Sequence, residues 1–315
     1  MVKTNMKKGT VLITGVGGFI GSNLAARLVA AGYPVIGIDD FSQGVESQVP
    51  KGVLFRQADI RSPDVAPHFK GVDVVFHLAA KNSLGDCQKD PVGTMDINVV
   101  GTARVFEAAR QAGVRKVVYA ESSVLEEGEE RQKGFYAISK RADALLAEGF
   151  RAAFGVTLVG LRYFNVYGPG QDYRRSAPPV MSDLIISLLQ GTTLSIVEGS
   201  EKNKRDFVHI NDINDFHLLC IEDDRVNNRM FRLGSGRNYS ITEVLDTIQK
   251  LLGTTVTPTI RPRSPDDPPV QTLADVTDAK ALGWQPKVSL EDGLHSMIEY
   301  IRSEMAAGRI LAPRS

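Results

Sequence analysis

The chain has few cysteines and no spacing of residues that is typical of a metal site. Only Cys87 and Cys220 occur among its 315 residues, and they lie far apart. We therefore expect neither a disulfide framework nor a bound metal, and we place the protein in a reducing cytoplasm. Cys87 could act as a nucleophile only with a histidine partner, and the sequence shows no such partner.

Charge of one sign and long apolar runs are also missing. Lysine plus arginine and aspartate plus glutamate both number 37, so the formal net charge is zero. Nucleic-acid and membrane-surface binding normally need a basic excess, so we expect neither partner. No apolar run reaches the roughly 18–20 residues of a transmembrane helix. The short run after the basic N-terminus is below the ~7–15 residues of a signal-peptide core and predicts a first strand.

Apolar strands alternate with helical stretches through the first half of the chain. In chain order we predict strand 11–15, helix 19–32, strands 34–39, 52–59 and 72–80, helix 94–113, strand 115–121, a helix that carries Tyr136, and strand 156–164. Such alternation is typical of a parallel sheet with helices on both faces. The sequence therefore predicts an α/β fold: a Rossmann-type doubly wound parallel sheet over 1–168 and a smaller α/β substrate-binding domain over 169–315. We expect segments of the two domains to interleave.

The stretch "TGVGGFIGSNL" follows the first predicted strand and opens the first helix. Gly15 allows the tight turn, Gly18 lets the backbone approach a pyrophosphate, and Gly21 lets the helix pack closely on the sheet. Asp39 ends the second strand, where a carboxylate binds the adenosine ribose hydroxyls and repels the extra phosphate of NADP. The sequence predicts a dinucleotide site that prefers NAD. Asp59, at the end of the next strand, either meets the adenine amino group or is a solvated strand end.

Tyr136 and Lys140 lie four residues apart and so share one helix face. A nearby ammonium lowers the pKa of a tyrosine from its usual value of about 10. A phenolate beside a dinucleotide can take a hydroxyl proton while hydride leaves for NAD. Ser123, at the end of a strand, could bridge the substrate oxygen and the tyrosine, and Ser122 is the competing choice.

At this point the sequence resembles the extended short-chain dehydrogenase/reductase family, in its nucleotide-sugar epimerase/dehydratase branch. The similarity covers nearly the whole chain. Seven motifs stand in the family's order: "TGVGGFIGSNL", "HLAA" (77–80), "NVVGT" (98–102), "YAISK" (136–140), "RYFNVYGP" (162–169), "RDFVHINDI" (205–213) and "ALGWQPKVSLEDGL" (281–294).

The resemblance implies roles for individual residues. The catalytic residues would be Ser123, Tyr136 and Lys140. The NAD site would be formed by Gly15, Gly18, Phe19, Ile20, Gly21, Asp39, Asp40, Asp59, Ile60, Leu78, Ala79, Ala80, Asn98, Tyr136, Lys140 and Phe164. The substrate would contact Asn82, Ser123, Asn165, Arg205, Arg263 and Thr272. Arginine forks match phosphate oxygens, although Arg205 and Asp206 could instead form a surface ion pair, and Arg261 competes with Arg263.

Within this family the resemblance favours a UDP-sugar 4-epimerase. The dehydratases and decarboxylases carry acids shortly after the catalytic serine or threonine, where this chain has Val124 and Leu125. Neither can transfer a proton, so we expect oxidation at C4 and return of hydride to the other face. A dehydratase or a decarboxylase is the alternative, and a non-catalytic NAD-binding sensor is a further one.

Two features modify this expectation. The segment between Ser123 and Tyr136 is shorter than in most family members, and Glu126 replaces part of their Tyr-Gly pair and could act as an acid or base. Thr272 stands where a tyrosine would exclude N-acetyl groups, so UDP-GlcNAc and UDP-GalNAc are expected beside UDP-Glc and UDP-Gal. The resemblance also implies a homodimer, formed through helix 94–113 and the Tyr136 helix.

Overall fold

A computed structural model describes residues 8–175, 178–263 and 270–310. The chain divides into two compact units. The first holds the residues up to Arg162 together with Phe216–Phe231, and the second holds Tyr163–Asp215 and the residues from Arg232 onward. The segment 163–168 therefore groups with the second unit, and a later stretch returns to the first.

A seven-stranded sheet forms the centre of the first unit. Its strands are β1 (Val11–Thr14), β2 (Val35–Asp39), β3 (Val53–Gln57), β4 (Val74–His77), β5 (Lys116–Ser122), β6 (Leu158–Tyr163) and β11 (Met230–Leu233). They lie in the order β11-β6-β5-β4-β1-β2-β3. The pairs β1–β2, β1–β4, β2–β3 and β4–β5 are parallel. Because the strand order reverses beside β1, the sheet is doubly wound, and the predicted Rossmann-type fold is confirmed.

The α-helices of the first unit follow its strands. They are α1 (Phe19–Ala30), α2 (Leu84–Lys89), α3 (Pro91–Met95), α4 (Gly101–Ala112), α5 (Glu129–Gln132) and α6 (Phe135–Phe154). The strands β1 and β4 are buried at every position, as the continuous apolar runs predict for a sheet covered on both faces. Phe69, Phe106 and Val117 belong to one core cluster, and each such side chain contributes about 1.5–3 kcal/mol by leaving water.

The chain is helical over nearly all of the predicted range 94–113, but its hydrogen-bond pattern changes within it. The α3 helix is followed by one π-helical turn at Asp96–Val100, and α4 begins only at Gly101. Single π turns interrupt α-helices most often at functional sites. Here the turn carries Asn98, whose side chain bonds to residues far along the chain.

The second unit contains shorter elements. Its strands are β7 (Val166–Tyr167), β8 (Ser195–Val197), β9 (Lys204–Asp206), β10 (Val208–His209), β12 (Asn238–Ser240) and β13 (Thr259–Arg261). Its helices are α7 (Val180–Gln190), α9 (Ile241–Leu252), α10 (Thr277–Ala281) and α11 (Leu290–Ala306), while α8 (Ile210–Glu222) runs from the second unit into the first. The strands pair as β10–β7, β12–β9 and β13–β8. A second apolar cluster includes Ile185, Val244 and Met297 from α7, α9 and α11.

The returning segment is fixed to the first unit by a buried lysine. Lys116, at the start of β5, is fully buried. Its ammonium donates to the carbonyl oxygens of Cys220 (2.8 Å) and Asp223 (3.3 Å), and it pairs with the Asp224 carboxylate at 3.2 Å. A cation suits this position because the last carbonyls of a helix carry partial negative charge.

Within the ranges that the structure describes, no helix has the length and apolar character that a membrane span requires. In the same ranges, no group of three or more histidine, cysteine, aspartate or glutamate side chains could hold a metal ion. Cys87 and Cys220 are both buried and unbridged.

Candidate functional site

The glycine loop turns sharply between β1 and α1. Gly15 has φ of 77°, and a Cβ added there would lie 2.7 Å from the Ala79 nitrogen. A Cβ on Gly21 would come 2.1 Å from the Gly15 carbonyl oxygen, whereas the tightest contact of a Cβ on Gly18 is 3.2 Å. The α1 helix has no side-chain N-cap and no acid in its first turn. This N-terminus is therefore suited to an anionic group such as a pyrophosphate.

Asp39 lies beside this loop. Its two carboxylate oxygens accept 2.8 Å hydrogen bonds from the backbone N–H groups of Gly17 and Phe41. Burial raises the pKa of Asp39, although these backbone bonds act in the opposite direction. Phe41 holds a left-handed backbone conformation (φ 59°), and its ring stacks on Phe55 with centroids 5.0 Å apart. A left-handed non-glycine residue is uncommon and is found most often at binding sites.

Asp59 follows β3, and its carboxylate forms an ion pair with Arg61. The Arg61 guanidinium contacts both of its oxygens, at 2.7 Å from one nitrogen and 3.0 Å from another, and also reaches Asp96 at 3.1 Å. The Arg61 hydrogen bonds lower the pKa of Asp59. Ile60 is buried, and a Cβ on Gly101 would lie 2.6 Å from it. The start of α4 is thus packed closely on this residue.

Both the oxygen and the nitrogen of the Asn98 side-chain amide form hydrogen bonds within the protein. Its oxygen accepts from the Lys81 N–H at 2.8 Å, and its nitrogen donates to the Lys81 carbonyl and to the Ser139 hydroxyl, each at 2.9 Å. Ser139 donates in turn to the Tyr136 carbonyl. The π turn therefore fixes both the segment after β4 and the first turn of α6.

The remaining residues predicted for the cofactor and sugar lie at loop and strand ends. Leu78, Ala79 and Ala80 come directly after β4, Asn82 lies two residues beyond, and Phe19 and Ile20 begin α1. Asp40 accepts from the Ser42 backbone N–H at 2.9 Å, and Phe164, in the second unit, is buried.

Tyr136 lies in the first turn of α6, which begins after Gly134 without a side-chain cap. Lys140 lies one turn further and is buried. Its ammonium donates to the Ala120 carbonyl of β5 at 3.1 Å and to Asp143 at 3.0 Å. The two predicted residues thus share a helix face, and the lysine is held by the neighbouring strand.

The two candidate serines differ in their surroundings. Ser123 is buried, and its hydroxyl donates to Glu127 across 3.4 Å. Ser122 is half-buried at the end of β5, and its oxygen accepts from the Val124 N–H. The Glu127 carboxylate also pairs with Arg131 at 3.2 Å. The acidic loop 126–130 is therefore not fully exposed to solvent, because Glu127 within it is buried.

Glu126 faces a cation. Arg162 donates to it at 2.5 Å and pairs with Glu121, two residues before Ser123, at 2.7 Å. Glu126 is exposed, whereas Glu121 is buried. Arg162 thus bridges two carboxylates, and Glu126 serves here as an ion-pair partner.

In the second unit the structure brings together Asn165 and Thr272. The Asn165 amide donates to the Thr272 hydroxyl at 3.3 Å and to the Asp206 carbonyl at 2.9 Å. The same hydroxyl accepts from the Asp206 N–H at 3.1 Å. Thr272 is therefore buried with its side chain fixed from two directions.

The two predicted arginines lie on different strands of the second unit. Arg205 is in β9, opposite Tyr239 of β12. Its neighbour Asp206 is fully buried and accepts hydrogen bonds from Ser235, Gly236 and Ala274, so it does not form a surface ion pair. Arg263 follows β13, and its Nε donates to the Glu198 carbonyl at 3.0 Å.

Several contacts in the first unit escaped the sequence reasoning. Asp143, Glu127 and Gly17 each touch a predicted residue, and none was singled out. Asp143 could have been found by its helical spacing from Lys140. Glu127 and Gly17 could not, because their contacts depend on loop conformation.

The sequence is similar to a known protein family and to proteins within it. The profile of the family described as NAD dependent epimerase/dehydratase matches residues 11–234. A UDP-glucose 4-epimerase from Streptomyces lividans is 32% identical over 301 residues, which cover 88% of this chain and 92% of that protein.

Two solved structures share the fold. A UDP-N-acetylglucosamine 4-epimerase from Methanobrevibacter ruminantium M1 has a TM-score of 0.88 at 26% identity, covering 95% of this chain and 100% of that one. A UDP-glucuronic acid 4-epimerase from Bacillus cereus, solved with UDP-glucuronic acid and NAD, has a TM-score of 0.83 at 27% identity, covering 93% and 99%.

Proposed function

This chain belongs to the NAD dependent epimerase/dehydratase family, and we propose that within it the protein is a UDP-sugar 4-epimerase that works through a transient 4-keto sugar. The observation that carries the proposal is the placement of Tyr136 and Lys140 on one face of α6, with the lysine buried and bonded to β5. This pair lies in the same unit as the glycine loop. Proton transfer and hydride transfer can then be served by one unit.

The cofactor is NAD, and the residues of the first unit fit it. Gly15 lets the loop approach the backbone of Ala79, Gly21 lets α1 approach the loop, and the uncapped start of α1 suits the pyrophosphate. Asp39, held by two backbone N–H groups, presents its remaining lone pairs to the ribose hydroxyls.

The chemistry divides between cofactor and side chains. Bound NAD supplies the hydride acceptor for C4 of the sugar and returns the hydride afterwards. Tyr136, as phenolate, takes the proton of the C4 hydroxyl and gives it back once the keto sugar has turned over. Lys140 stabilises the phenolate with its charge. Ser123, or Ser122, orients the reacting oxygen by a hydrogen bond.

The substrate residues of the second unit support a nucleotide diphosphate. We assign the phosphates to Arg205 and Arg263, because guanidinium groups bind phosphate oxygens at two points. We assign Asn165 and Thr272 to the sugar side. Thr272 is small and fixed by two hydrogen bonds, which supports room for an N-acetyl group at C2. Turnover of both UDP-Glc/UDP-Gal and UDP-GlcNAc/UDP-GalNAc tests this assignment, and turnover of the first pair alone contradicts it.

One contact favours a lyase as a second candidate. Glu127 carries a carboxylate that accepts a hydrogen bond from Ser123, and dehydratases and decarboxylases need an acid near this serine. Product mass distinguishes the two candidates. An epimerase gives an isomer of equal mass, whereas a lyase gives a product lighter by water or CO2. UDP-glucuronic acid belongs in the panel because it is a possible substrate of either class.

The central experiment removes the hydroxyl group of Tyr136. In Tyr136→Phe we expect NAD to stay bound while turnover falls at least ~10²-fold, the usual scale of lost acid–base catalysis. Tyr33→Phe is the matched control, because the Tyr33 hydroxyl donates to Glu222 away from the site. Unchanged turnover in Tyr136→Phe removes the tyrosine from the mechanism. Ser122→Ala and Ser123→Ala, measured in parallel, decide which hydroxyl acts, and a protein that binds NAD but converts no sugar would be a sensor.

We also propose a homodimer. Val92, Val100, Ile138 and Leu145 are exposed apolar side chains of α3, the π turn and α6. These elements adjoin one another in the first unit, so their exposed apolar side chains suit a second copy of the same face.

A further inference from the structure

A buried carboxylate lies behind the proposed catalytic pair. Asp143 follows Lys140 on α6, and its Oδ2 lies 3.0 Å from the lysine Nζ. The two side chains are only 5% and 2% exposed. Removing two charges from water is costly, so a buried ion pair is weak evidence for stability alone. Its position next to the proton-transfer pair suggests a different use.

A chain of hydrogen bonds reaches Asp143 from the end of β1. The Ala79 N–H donates to the Thr14 hydroxyl at 3.3 Å, and this hydroxyl lies 2.7 Å from His77 Nδ1. His77 Nε2 lies 2.9 Å from the Thr102 hydroxyl, which in turn bonds Asp143. Burial lowers the pKa of His77 to about 3, so the ring is neutral and carries one N–H.

This chain has a consistent direction. With Thr14 donating to Nδ1, the single ring proton lies on Nε2 and points at Thr102. The Thr102 hydroxyl donates to the Asn98 carbonyl, and its proximity to Asp143 lowers the pKa of that carboxyl. Burial raises the pKa of Asp143, whereas the Lys140 ammonium and the Thr102 hydroxyl act in the opposite direction and favour the ionised form.

The lysine depends on this carboxylate for its charge. Burial by itself lowers the pKa of the Lys140 ammonium, but the attraction of Asp143 reverses the effect, so that pKa lies above its ordinary value. Of the three N–H groups of the ammonium, one bonds Ala120 and one bonds Asp143, so one remains for the Tyr136 side. The titratable groups that act on Lys140 from the packed elements are Asp143 and Tyr136 of α6, Glu121 of β5, His77 of β4 and Cys87 of α2.

We propose that Asp143 is a positioning residue that keeps Lys140 charged and in place behind Tyr136, and so sets the alkaline limit of the pH range in which the enzyme works. The proposal rests on the proposed function, because that function assigns the proton transfer to Tyr136. It adds a residue that touches neither sugar nor cofactor.

The test is the pH dependence of kcat in Asp143→Asn, which keeps shape and removes charge. Loss of the counterion lowers the proton affinity of the buried lysine, so the alkaline limb should move down by at least ~1 pH unit. The unshielded lysine charge makes the Tyr136 phenol more acidic, so the acidic limb should move down as well. Glu148→Gln removes the same charge from an exposed position of α6 and should move neither limb. A rate lowered equally at every pH would show a purely structural role and reject the proposal.

A second readout does not need turnover. The phenolate absorbance of Tyr136 can be titrated in the NAD-loaded protein as a difference from Tyr136→Phe. We expect the phenolate step to lie at lower pH in Asp143→Asn than in the unmodified protein, because the Lys140 charge is no longer balanced by the carboxylate. A step that does not move overturns the proposal, and Asp143→Ala replaces Asp143→Asn in the same titration if that variant fails to fold.

The outcomes separate the two proposals. If no UDP-sugar is converted but the Tyr136 titration shifts downward in Asp143→Asn, the proposed function fails and the role of Asp143 stands. If sugars are converted and neither the limbs nor the titration move, the function stands and the role of Asp143 is rejected.

Discussion

The Asp39 carboxylate accepts a 2.8 Å hydrogen bond from the Gly17 N–H, which ties the end of β2 to the loop after β1. Its second oxygen is held by the Phe41 N–H at the same distance. A carboxylate fixed at both oxygens cannot turn away from the loop. The glycine turn and the acid are therefore held together in the arrangement that we propose for the adenosine half of NAD.

Replacing this acid should weaken NAD binding. Asp39→Ala removes charged acceptors for the ribose hydroxyls, each worth about 1.5–3 kcal/mol, so we expect affinity for NAD to fall at least ~10-fold. The preference for NAD over NADP should narrow, because the repulsion of the extra phosphate is lost. Calorimetric titration with both cofactors checks this, with Glu46→Ala, which removes an exposed carboxylate in the segment after β2, as the control. Unchanged NAD affinity in a folded Asp39→Ala protein would contradict the assignment.

Adding a methyl group should change the stability of the protein in opposite directions at two glycines. In Gly21→Ala the new Cβ meets the Gly15 carbonyl at 2.1 Å, so we expect a loss of about 1–3 kcal/mol of unfolding free energy and weaker NAD binding. In Gly149→Ala the Cβ enters open space on α6, so helix propensity should stabilise the protein by up to ~1 kcal/mol. Urea unfolding of both variants measures the difference. Equal stability of the two would mean that α1 does not need its close approach to the loop.

Stability should fall in mild acid because three histidines are buried in neutral form. Burial lowers the pKa of His77 and His217 to about 3 and that of His209 to about 4. The unfolded chain binds these protons from about pH 6.5 downward and the native state does not, so stability is lost as the pH falls below that value. Each ring contributes up to ~1.4 kcal/mol per pH unit until its native pKa is reached.

Urea unfolding between pH 7 and 5 measures this slope. His217→Gln should flatten it, whereas His295→Gln, at an exposed position of α11, should leave it unchanged. A slope that is the same in all three proteins would show that His217 is not held neutral.

The dimer proposal predicts a change of mass in solution. Ile138→Glu combined with Leu145→Glu places two charges on the exposed apolar face of α6, and desolvating them in an interface is unfavourable. Sedimentation should then show a dimer for the unmodified protein and a monomer for the double variant. Leu54→Glu, which changes an equally exposed apolar residue of β3, should stay dimeric. A monomeric unmodified protein would end the proposal.

The sequence allowed the sheet and the cofactor loop to be predicted, because their signals are local. Buried strands such as β1 and β4 appear as short apolar runs, and Gly15 and Gly21 mark a turn that only glycine fits. The π turn within helix 94–113 could not be predicted, because its Asn98 bonds to Lys81 and Ser139, which lie elsewhere in the chain.

Loop contacts near the candidate site were equally hidden. The left-handed Phe41 depends on the Asp39 carboxylate and on stacking with Phe55. The contact of Glu127 with Ser123 depends on the short 3₁₀ turn and helix that fold the acidic loop back. Such contacts depend on tertiary packing and leave no period or motif in the chain.

The bonds from Lys116 to the end of α8 also bear on how the protein is made. The first unit lacks Phe216–Phe231 until the ribosome has synthesised Tyr163–Asp215 of the second unit. Until then β6 has no neighbour on its outer side, and the Lys116 ammonium has no helix end to bind. We therefore expect the first unit to complete its folding only after the ribosome has synthesised Tyr163–Asp215 of the second unit and then Phe216–Phe231.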